Sequence, residues 1–292
     1  MLARHNRESR EYKNLRTRER LWLPRAKLLV STLLLLLCSP KAFGEFDHGL
    51  WGLLLSKHVV VSEDGRSTAV DYISLGTNRE QLDQYLKQAS GVSRATFDAW
   101  ETSEQLSFLI NLYNAATVDL ILDNMNSTDT LASIRDIGSL FTSAWELERV
   151  ALFGQRVTLD FIEHDMIRGS GRYNEPRIHF AVNCAAIGCP ALRAEAYTGA
   201  KLNAQLEDAV RIFLSDRSRN YFDDGRLYLS SIFKWYREDF ERGWGGSNSL
   251  GEFVARYSSE LGLSAEQTET LAKGNMRIRF LSYNWALNQL NK

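Results

Sequence analysis

Apolar residues recur along this chain in two spacings, every three or four residues in some segments and every second residue in others. The first spacing predicts helices and the second predicts strands. Residues 104–123 carry apolar side chains around almost the whole helical circumference, which predicts a central helix covered on most sides. Shorter amphipathic helices are predicted over 79–88, 160–169 and 198–214, and after the capping residues Ser230, Ser249 and Ser264.

Alternating segments predict strands that are short and scattered between the helices. They lie at 59–61, 69–72, 150–153, 156–159, 177–183, 227–229 and 276–283. Turns that contain glycine join the first four of these into two hairpins. This mixed order favours an α+β fold, a small mixed or antiparallel sheet with several surrounding helices, over a regular βαβ repeat.

The first 44 residues are typical of an export signal rather than of a folded element. A long basic segment, 1–27, precedes the apolar run 28–38, and small residues at 42–44 suit cleavage after Gly44. The run is shorter than the ~20 residues that span a bilayer comfortably. We therefore expect an exported protein, periplasmic or secreted, with a signal peptide at 1–44 and one domain at 45–292.

The net charge of the predicted mature chain limits which classes of molecule it can bind. The first 44 residues hold ten of the 35 Lys and Arg and three of the 36 Asp and Glu, so 25 basic and 33 acidic residues remain, a net charge of −8. An acidic body argues against nucleic acid or anionic lipid as the partner. We expect membrane contact only through an uncleaved signal segment, and a small-molecule or peptide ligand.

The segment from Arg177 to Arg193 concentrates the reactive side chains. As a strand, it would place His179 and Asn183 on one face and turn Cys184 towards the other. Cys184 and Cys189 are five positions apart, so a loop between them can bring their Cα atoms to the ~5.5 Å of a disulfide. A disulfide is the favoured interpretation in an exported chain, with a catalytic thiol at Cys184, or inert or metal-binding thiols, as alternatives.

Polar side chains within apolar helical stripes are the other candidates. Asn111 and Asn114 lie three apart on the central helix, where they either satisfy backbone groups or line a pocket. Glu163 falls within an apolar stripe with His164 at its edge, so Glu163 either caps its own helix at Asp160 or meets a cation or His179 in the core.

Five phrases, taken together and in this order, resemble the DUF547 family, a family without an assigned activity. They are 108–115 (FLINLYNA), 162–164 (IEH), 179–193 with 196–198 (AYT), 234–236 (KWY) with 239–240 (DF), and 283–288 (YNWALN). The likeness spans nearly all of residues 46–290. One departure is Leu109, where the family more often has tryptophan, a change that would reshape the wall beside Asn111.

These residues support two classes of function. The first is a binding module in the cell envelope, whose polar cleft would hold a small or peptide-like ligand. We expect its lining among Asn111, Tyr113, Asn114, Glu163, His164, His179, Asn183, Arg193 and Tyr197.

The alternative is a hydrolase, with Glu163, His164, His179 and Cys184 as candidate catalytic residues. It would use the Cys184 thiol with a histidine base, or Glu163 and His179 as acid and base on water. On an extended strand His179 would lie roughly 16 Å from Cys184, which makes His164 the better base. The sequence shows no cofactor fingerprint, and its cysteines and histidines lack the spacing of a zinc finger or ribbon, so we expect no cofactor and no metal. We expect Glu163, His179 and Arg193 to converge.

Overall fold

A computed structural model of the protein describes residues 44–125, 131–139 and 141–290. The apolar run 28–38 lies outside these ranges. The export signal, its cleavage after Gly44 and the boundary of the domain at 45 therefore stay predictions.

Helical segments account for most of the regular structure. The α-helices are α1 Gly49–His58, α2 Tyr72–Gly76, α3 Arg79–Ser90, α4 Arg94–Asp98, α5 Thr102–Asn124, α6 Leu202–Ser215, α7 Ile232–Trp235, α8 Arg237–Phe240, α9 Leu250–Ala255, α10 Ser258–Leu261 and α11 Ala265–Ala272. Short 3₁₀ helices lie at Ile134–Asp136, Ala144–Glu146, Pro176–Phe180 and Trp244–Gly246, and Phe161–Arg168 is a π-helix.

Within the described residues the strands are short and form three separate sheets. They are β1 Val59–Val61, β2 Thr68–Val70, β3 Val150–Leu152, β4 Gln155–Val157, β5 Tyr221–Asp223, β6 Arg226–Leu229 and β7 Arg277–Phe280. The first two pairs are antiparallel hairpins, with Val59 opposite Val70 and Val150 opposite Val157. In the third sheet β6 lies between antiparallel β5 and parallel β7. The predicted α+β class is confirmed.

The predicted central helix is confirmed as α5. Of its 23 residues, 17 are buried, including the polar residues Asn111 and Asn114. Among the described residues, α5 is long and apolar enough to cross a membrane, but 89% of its most apolar window is buried inside the protein. That degree of cover is typical of a core helix, because a helix that is apolar all round must be enclosed by other elements.

Two hydrophobic cores lie on either side of the segment Pro176–Phe180. The first core collects side chains of α1, α3 and α5, and the second collects those of α6, α9 and β6. Ile178 packs in the first core and Phe180 in the second. This segment therefore joins the two cores.

The predicted strand at 177–183 is wrong, since Pro176–Phe180 is a 3₁₀ helix. Pro176 suits the first helical turn because its fixed φ is helical and it has no N–H to satisfy, and the Glu175 side chain accepts a hydrogen bond from the Arg177 N–H. All five residues are buried, polar ones included. The alternation of apolar and polar residues therefore does not correspond to an alternation of buried and exposed side chains.

The two buried asparagines of α5 satisfy backbone groups of the segments that pack on it. Asn111 donates to the Tyr197 carbonyl at 2.7 Å and accepts from the Tyr197 N–H at 3.0 Å. Asn114 donates to the Ala181 carbonyl at 3.0 Å and accepts from the Asn183 N–H at 2.8 Å. Each amide holds an irregular segment against the helix, because a buried backbone group without a partner costs free energy.

We expect Asn111→Ala to lower the free energy of unfolding by about 2–4 kcal/mol, because it leaves the N–H and C=O of Tyr197 buried without partners. Urea unfolding followed by tryptophan fluorescence measures this. The exposed Asn174 provides a matched control, and Asn174→Ala should change the free energy by less than about 0.5 kcal/mol. Equal effects of the two substitutions would contradict the assignment.

Candidate functional site

A pocket of about 230 Å³ lies at the seam between the two cores. It is lined by Tyr113, Trp145, Asp160, Glu163, His164, His179, Val182, Cys184, Cys189, Pro190, Ile232, Trp235, Tyr236, Tyr283 and Trp285. All four predicted catalytic residues are among them. The pocket is mostly apolar with a few polar groups, the usual character of a small-molecule site.

His179 is held by a carboxylate from the second core. Its Nε2 lies 2.7 Å from Oδ2 of Asp239 on α8, and both side chains are buried. Tyr236 stacks on the imidazole at 3.8 Å between ring centroids, with 19° between the ring planes. The ring is thereby fixed in position and orientation.

The protonation of this pair follows from burial and hydrogen bonding. Burial raises the pKa of Asp239, but hydrogen bonds from His179 and Arg168 outweigh it and hold that pKa well below its usual range. Burial lowers the pKa of His179, against the opposing effects of Asp239 and Glu163. Since an ionised carboxylate can only accept, Nε2 carries the proton of a neutral His179. Nδ1 is then a bare acceptor, and it is buried without a hydrogen-bond partner.

Glu163 is a second buried residue with an atom that lacks a hydrogen-bond partner. It lies in the π-helix, is 4% exposed, and its Oε1 has no hydrogen-bond partner. Burial is the main cause that raises the pKa of both Tyr113 and Tyr236, and the charge of Glu163 is the second cause. Buried polar atoms are almost always satisfied, so two unsatisfied ones in residues that line one pocket indicate a place for a ligand.

The expected capping box between Asp160 and Glu163 is not formed. The side chain of Asp160 makes no cap hydrogen bond, and the Thr158 hydroxyl accepts from the Phe161 N–H at 2.9 Å instead. Glu163 is therefore free to face the pocket. π-Helical turns are rare and often occur at functional sites.

His164 is engaged by its own helix. Arg168 donates to its Nδ1 at 2.8 Å, and its Nε2 is 3.7 Å from Asp160. Arg168 also donates to Asp239 at 2.5 Å. With Nδ1 already accepting a hydrogen bond, His164 is a weaker candidate base than His179, which reverses the order expected from the sequence.

Cys184 and Cys189 form the predicted disulfide, with Cα atoms 6.0 Å apart. Both line the pocket together with His179. The expectation that His179 and Cys184 point apart is wrong, because it depended on an extended strand that the 3₁₀ helix replaces.

The loop that carries the disulfide is fixed by hydrogen bonds. Asn183 donates to the Pro190 carbonyl at 2.8 Å and accepts from the Ala185 N–H at 2.9 Å. Ala185 has φ of 56°, which an alanine rarely adopts. Strained residues cluster at functional sites, and this one directly follows Cys184.

Aromatic side chains form the remaining wall of the pocket. Tyr283 lies 4.5 Å from Trp285 and 4.8 Å from Trp235 between ring centroids, and Trp145 lies 5.9 Å from Trp285. Trp235 is 48% exposed. We call these four residues the aromatic wall, and their apolar faces suit a planar or apolar group.

Five predicted ligand-binding residues do not line the pocket. Arg193 pairs with Glu195 at 2.8 Å and with Asp208 at 2.5 Å. It therefore does not converge with Glu163 and His179. The other four have structural roles. The side chains of Asn111 and Asn114 bind the backbone segments that contain Tyr197 and Asn183, and Asn183 binds the loop that carries the disulfide. Tyr113 does line the pocket.

The sequence patterns do not identify several residues that complete the site. Asp239, Arg168 and Tyr236 were not proposed as site residues, and neither was the aromatic wall. Tyr236, Asp239, Tyr283 and Trp285 lie within the phrases that carry the family resemblance. That resemblance was the available signal, since nothing local marks Asp239 as the partner of a histidine 60 positions earlier.

A larger groove of about 670 Å³ lies beside the same loop and shares Cys189, Pro190 and Tyr283 with the pocket. Its arginines are paired, Arg219 with Asp216 at 2.6 Å and Arg66 with Asp64 at 4.0 Å. It therefore offers a ligand fewer unsatisfied groups than the pocket. Across the part of the chain that the structure describes, no group of three or more His, Cys, Asp or Glu side chains is arranged to hold a metal ion.

Comparison with known families confirms the resemblance to DUF547 over part of the predicted span 46–290. Residues 97–214 match the model of that family, which is described as a protein of unknown function. The match includes Glu163, His179 and Cys184 and ends before Asp239. No curated protein and no solved structure matches the chain.

We expect His179 to be a neutral Nε2–H imidazole at pH 7, with a pKa below 6.5 because of burial. Long-range ¹H–¹⁵N NMR spectra across a pH titration measure both properties. Asp239→Asn should lower the pKa further, because the carboxylate raises it. Asp165→Asn, an exposed site on the neighbouring π-helix, is the control and should leave it unchanged. An Nδ1–H tautomer in the unchanged protein would contradict the geometry.

Proposed function

Starting from a chain that matches a family without an assigned activity over residues 97–214, we propose that the protein is a hydrolase or acyl transferase. Its substrate is a small or peptide-like molecule bound in the pocket. The observation that carries the proposal is the Asp239–His179 hydrogen bond, which leaves His179 Nδ1 as an unpartnered base beside the wall that holds Cys184. The buried His48 and His58 also each have a ring nitrogen without a partner, but neither of them lines this pocket.

His179 is the general base of this proposal and Asp239 positions it. Asp239 fixes the tautomer through Nε2 and stabilises the imidazolium that forms when Nδ1 takes up a proton. The same division of roles is found in catalytic triads. Because burial keeps His179 neutral, the acceptor form is present at pH 7.

Cys184 is the nucleophile after its disulfide is reduced. Its thiol gives the proton to His179 Nδ1, and the thiolate attacks the acyl carbon of the substrate. The leaving group departs with the proton from His179, and water or another acceptor then releases the acyl group from Cys184. His179, Asp239 and Cys184 supply base, positioning and nucleophile.

The pocket limits the part of the substrate that it can hold. Its 230 Å³ is below the ~300–1,000 Å³ of sites for drug-sized ligands, so it suits one side chain or ring of a larger molecule. Glu163 Oε1 has no partner and can accept a hydrogen bond from a substrate N–H or O–H. These features favour a peptide-like substrate with an apolar group against the aromatic wall.

A second candidate is hydrolysis without a thiol, in which Glu163 and His179 act as acid and base on a water molecule. It is favoured by the disulfide, which occupies Cys184 in the structure. We also propose export to the cell envelope, from the apolar run 28–38 and the acidic body alone.

The thiol mechanism predicts a burst of one nitrophenolate per chain when the reduced protein meets 4-nitrophenyl acetate. Cys184→Ala should abolish the burst, and His179→Ala should slow it by roughly 10²–10⁴-fold, the usual contribution of a general base. Stopped-flow absorbance measures the burst, and mass spectrometry locates the acetyl group on Cys184. Cys189→Ala is the matched control and should retain the burst without added reductant.

The two mechanisms differ in which substitution removes turnover. If Cys184→Ala keeps turnover while Glu163→Gln loses it, the thiol version is wrong and the thiol-free version holds. If neither substitution nor His179→Ala changes turnover, both hydrolase versions fail, and the remaining interpretation of the pocket is ligand binding.

We expect the burst rate to fall as the pH drops through the lowered pKa of His179, because only the neutral ring accepts a proton. Measuring the rate from pH 4 to pH 8 at constant ionic strength tests this. Asp239→Asn should move the acid limb to lower pH, and a limb centred above pH 6.5 would contradict His179 as the base.

A further inference from the structure

The two sulfur atoms of the disulfide differ in their surroundings. Cys184 is partly exposed, whereas Cys189 is 3% exposed. Attack by a thiol requires access to one sulfur along the line of the S–S bond and a leaving group on the other. Cys184 is therefore the sulfur open to attack, and Cys189 is the leaving group.

Hydrogen-bond donors surround the sulfur of Cys189. The Cys184 N–H donates to Cys189 Sγ at 2.9 Å, and the Tyr283 hydroxyl lies 3.3 Å from the same atom. The Tyr283 hydroxyl is also 3.2 Å from Cys184 Sγ. Donors placed where negative charge develops stabilise a leaving thiolate.

Two further features maintain this arrangement. A Cβ atom at Gly188 would come within 2.9 Å of the Tyr283 ring, so glycine permits the close approach of the tyrosine. The Arg219 guanidinium, paired with Asp216, donates to the carbonyl of Cys189 and holds the backbone of the leaving cysteine in place.

The loop keeps other attachments that do not depend on the disulfide. Asn183 holds both ends of the 183–190 segment, Ile187 N–H donates to the Ala286 carbonyl, and Gly188 N–H donates to the Asn284 carbonyl, the last two at 2.8 Å. Because these bonds remain when the disulfide opens, the loop can retain its shape in the reduced protein.

We propose that Cys184–Cys189 is a redox-active disulfide that exchanges with a thiol entering the pocket, the thiol being a small molecule or a cysteine-containing peptide. The thiol gives its proton to His179 Nδ1, and its sulfur attacks Cys184 Sγ. The Cys184–Cys189 bond breaks, Cys189 leaves with the electron pair, and a mixed disulfide forms at Cys184.

A second thiol attacks the sulfur of the first and completes the reaction. It releases Cys184 and forms a disulfide between the two incoming thiols. Two thiols are oxidised, and the protein disulfide gains two electrons. This exchange is an activity of its own, and, with the proposed hydrolase, it would also convert Cys184 into the nucleophile.

Exchange is tested on the oxidised full chain with reduced glutathione as the probe. Samples are quenched in acid, free thiols are blocked with N-ethylmaleimide, and peptides are analysed by mass spectrometry. We expect glutathione on Cys184 and maleimide on Cys189 within minutes. Tyr283→Phe should slow the reaction at least threefold, and Tyr221→Phe, a tyrosine stacked on Tyr228 outside the pocket, is the matched control and should not.

Three results would overturn the proposal: glutathione chiefly on Cys189, an equal rate in Tyr283→Phe and the control, or reduction no faster than global unfolding in the same buffer. The last is measured by tryptophan fluorescence. This assay needs no acyl substrate, so it fails or succeeds independently of the hydrolase. The burst in Cys189→Ala decides the hydrolase alone, because that variant has no disulfide to reduce.

Discussion

The carboxylate of Asp239 lies buried between the two cores and accepts hydrogen bonds from His179 and Arg168. Arg242 is a further cation at 3.1 Å from its other oxygen. An ionised carboxylate in the interior is stable only when its hydrogen bonds are kept. The contact therefore fixes α8 against both the 3₁₀ helix and the π-helix, and the pocket at the seam takes its shape from it.

The same contact explains why the pocket has reactive groups rather than only packed ones. Asp239 uses one nitrogen of His179 and leaves the other bare. Arg168 donates a hydrogen bond to His164, so the two histidines have different roles although both line the pocket. Glu163 does not form its expected cap, because the Thr158 hydroxyl accepts a hydrogen bond from the Phe161 N–H at the start of this helix instead. The role of each residue depends on which neighbour is its hydrogen-bond partner, and the tertiary structure decides that partner.

Local patterns predicted the helices and hairpins well where one physical rule dominates. The apolar circumference of 104–123 required a covered helix, and α5 is that helix. Ser264 caps its helix as predicted, in a capping box with Gln267. The segment 177–183 failed because its polar residues are buried, so the alternation did not mark a face. The π-helical winding of Phe161–Arg168 also has no local signature in the sequence.

The sequence by itself determined the fold class, favoured the disulfide and identified five site candidates that line the pocket, because each depends on local periodicity, short spacing or the chemistry of a buried residue. It also indicated that Asn111 and Asn114 would be buried on one helix. Only the tertiary structure decided that these amides hold backbone segments, that Arg193 lies outside the pocket, and that Asp239 positions His179. The reason is physical: a hydrogen bond across 60 positions depends on how two cores pack, and that packing is a sum over many residues that no local pattern contains.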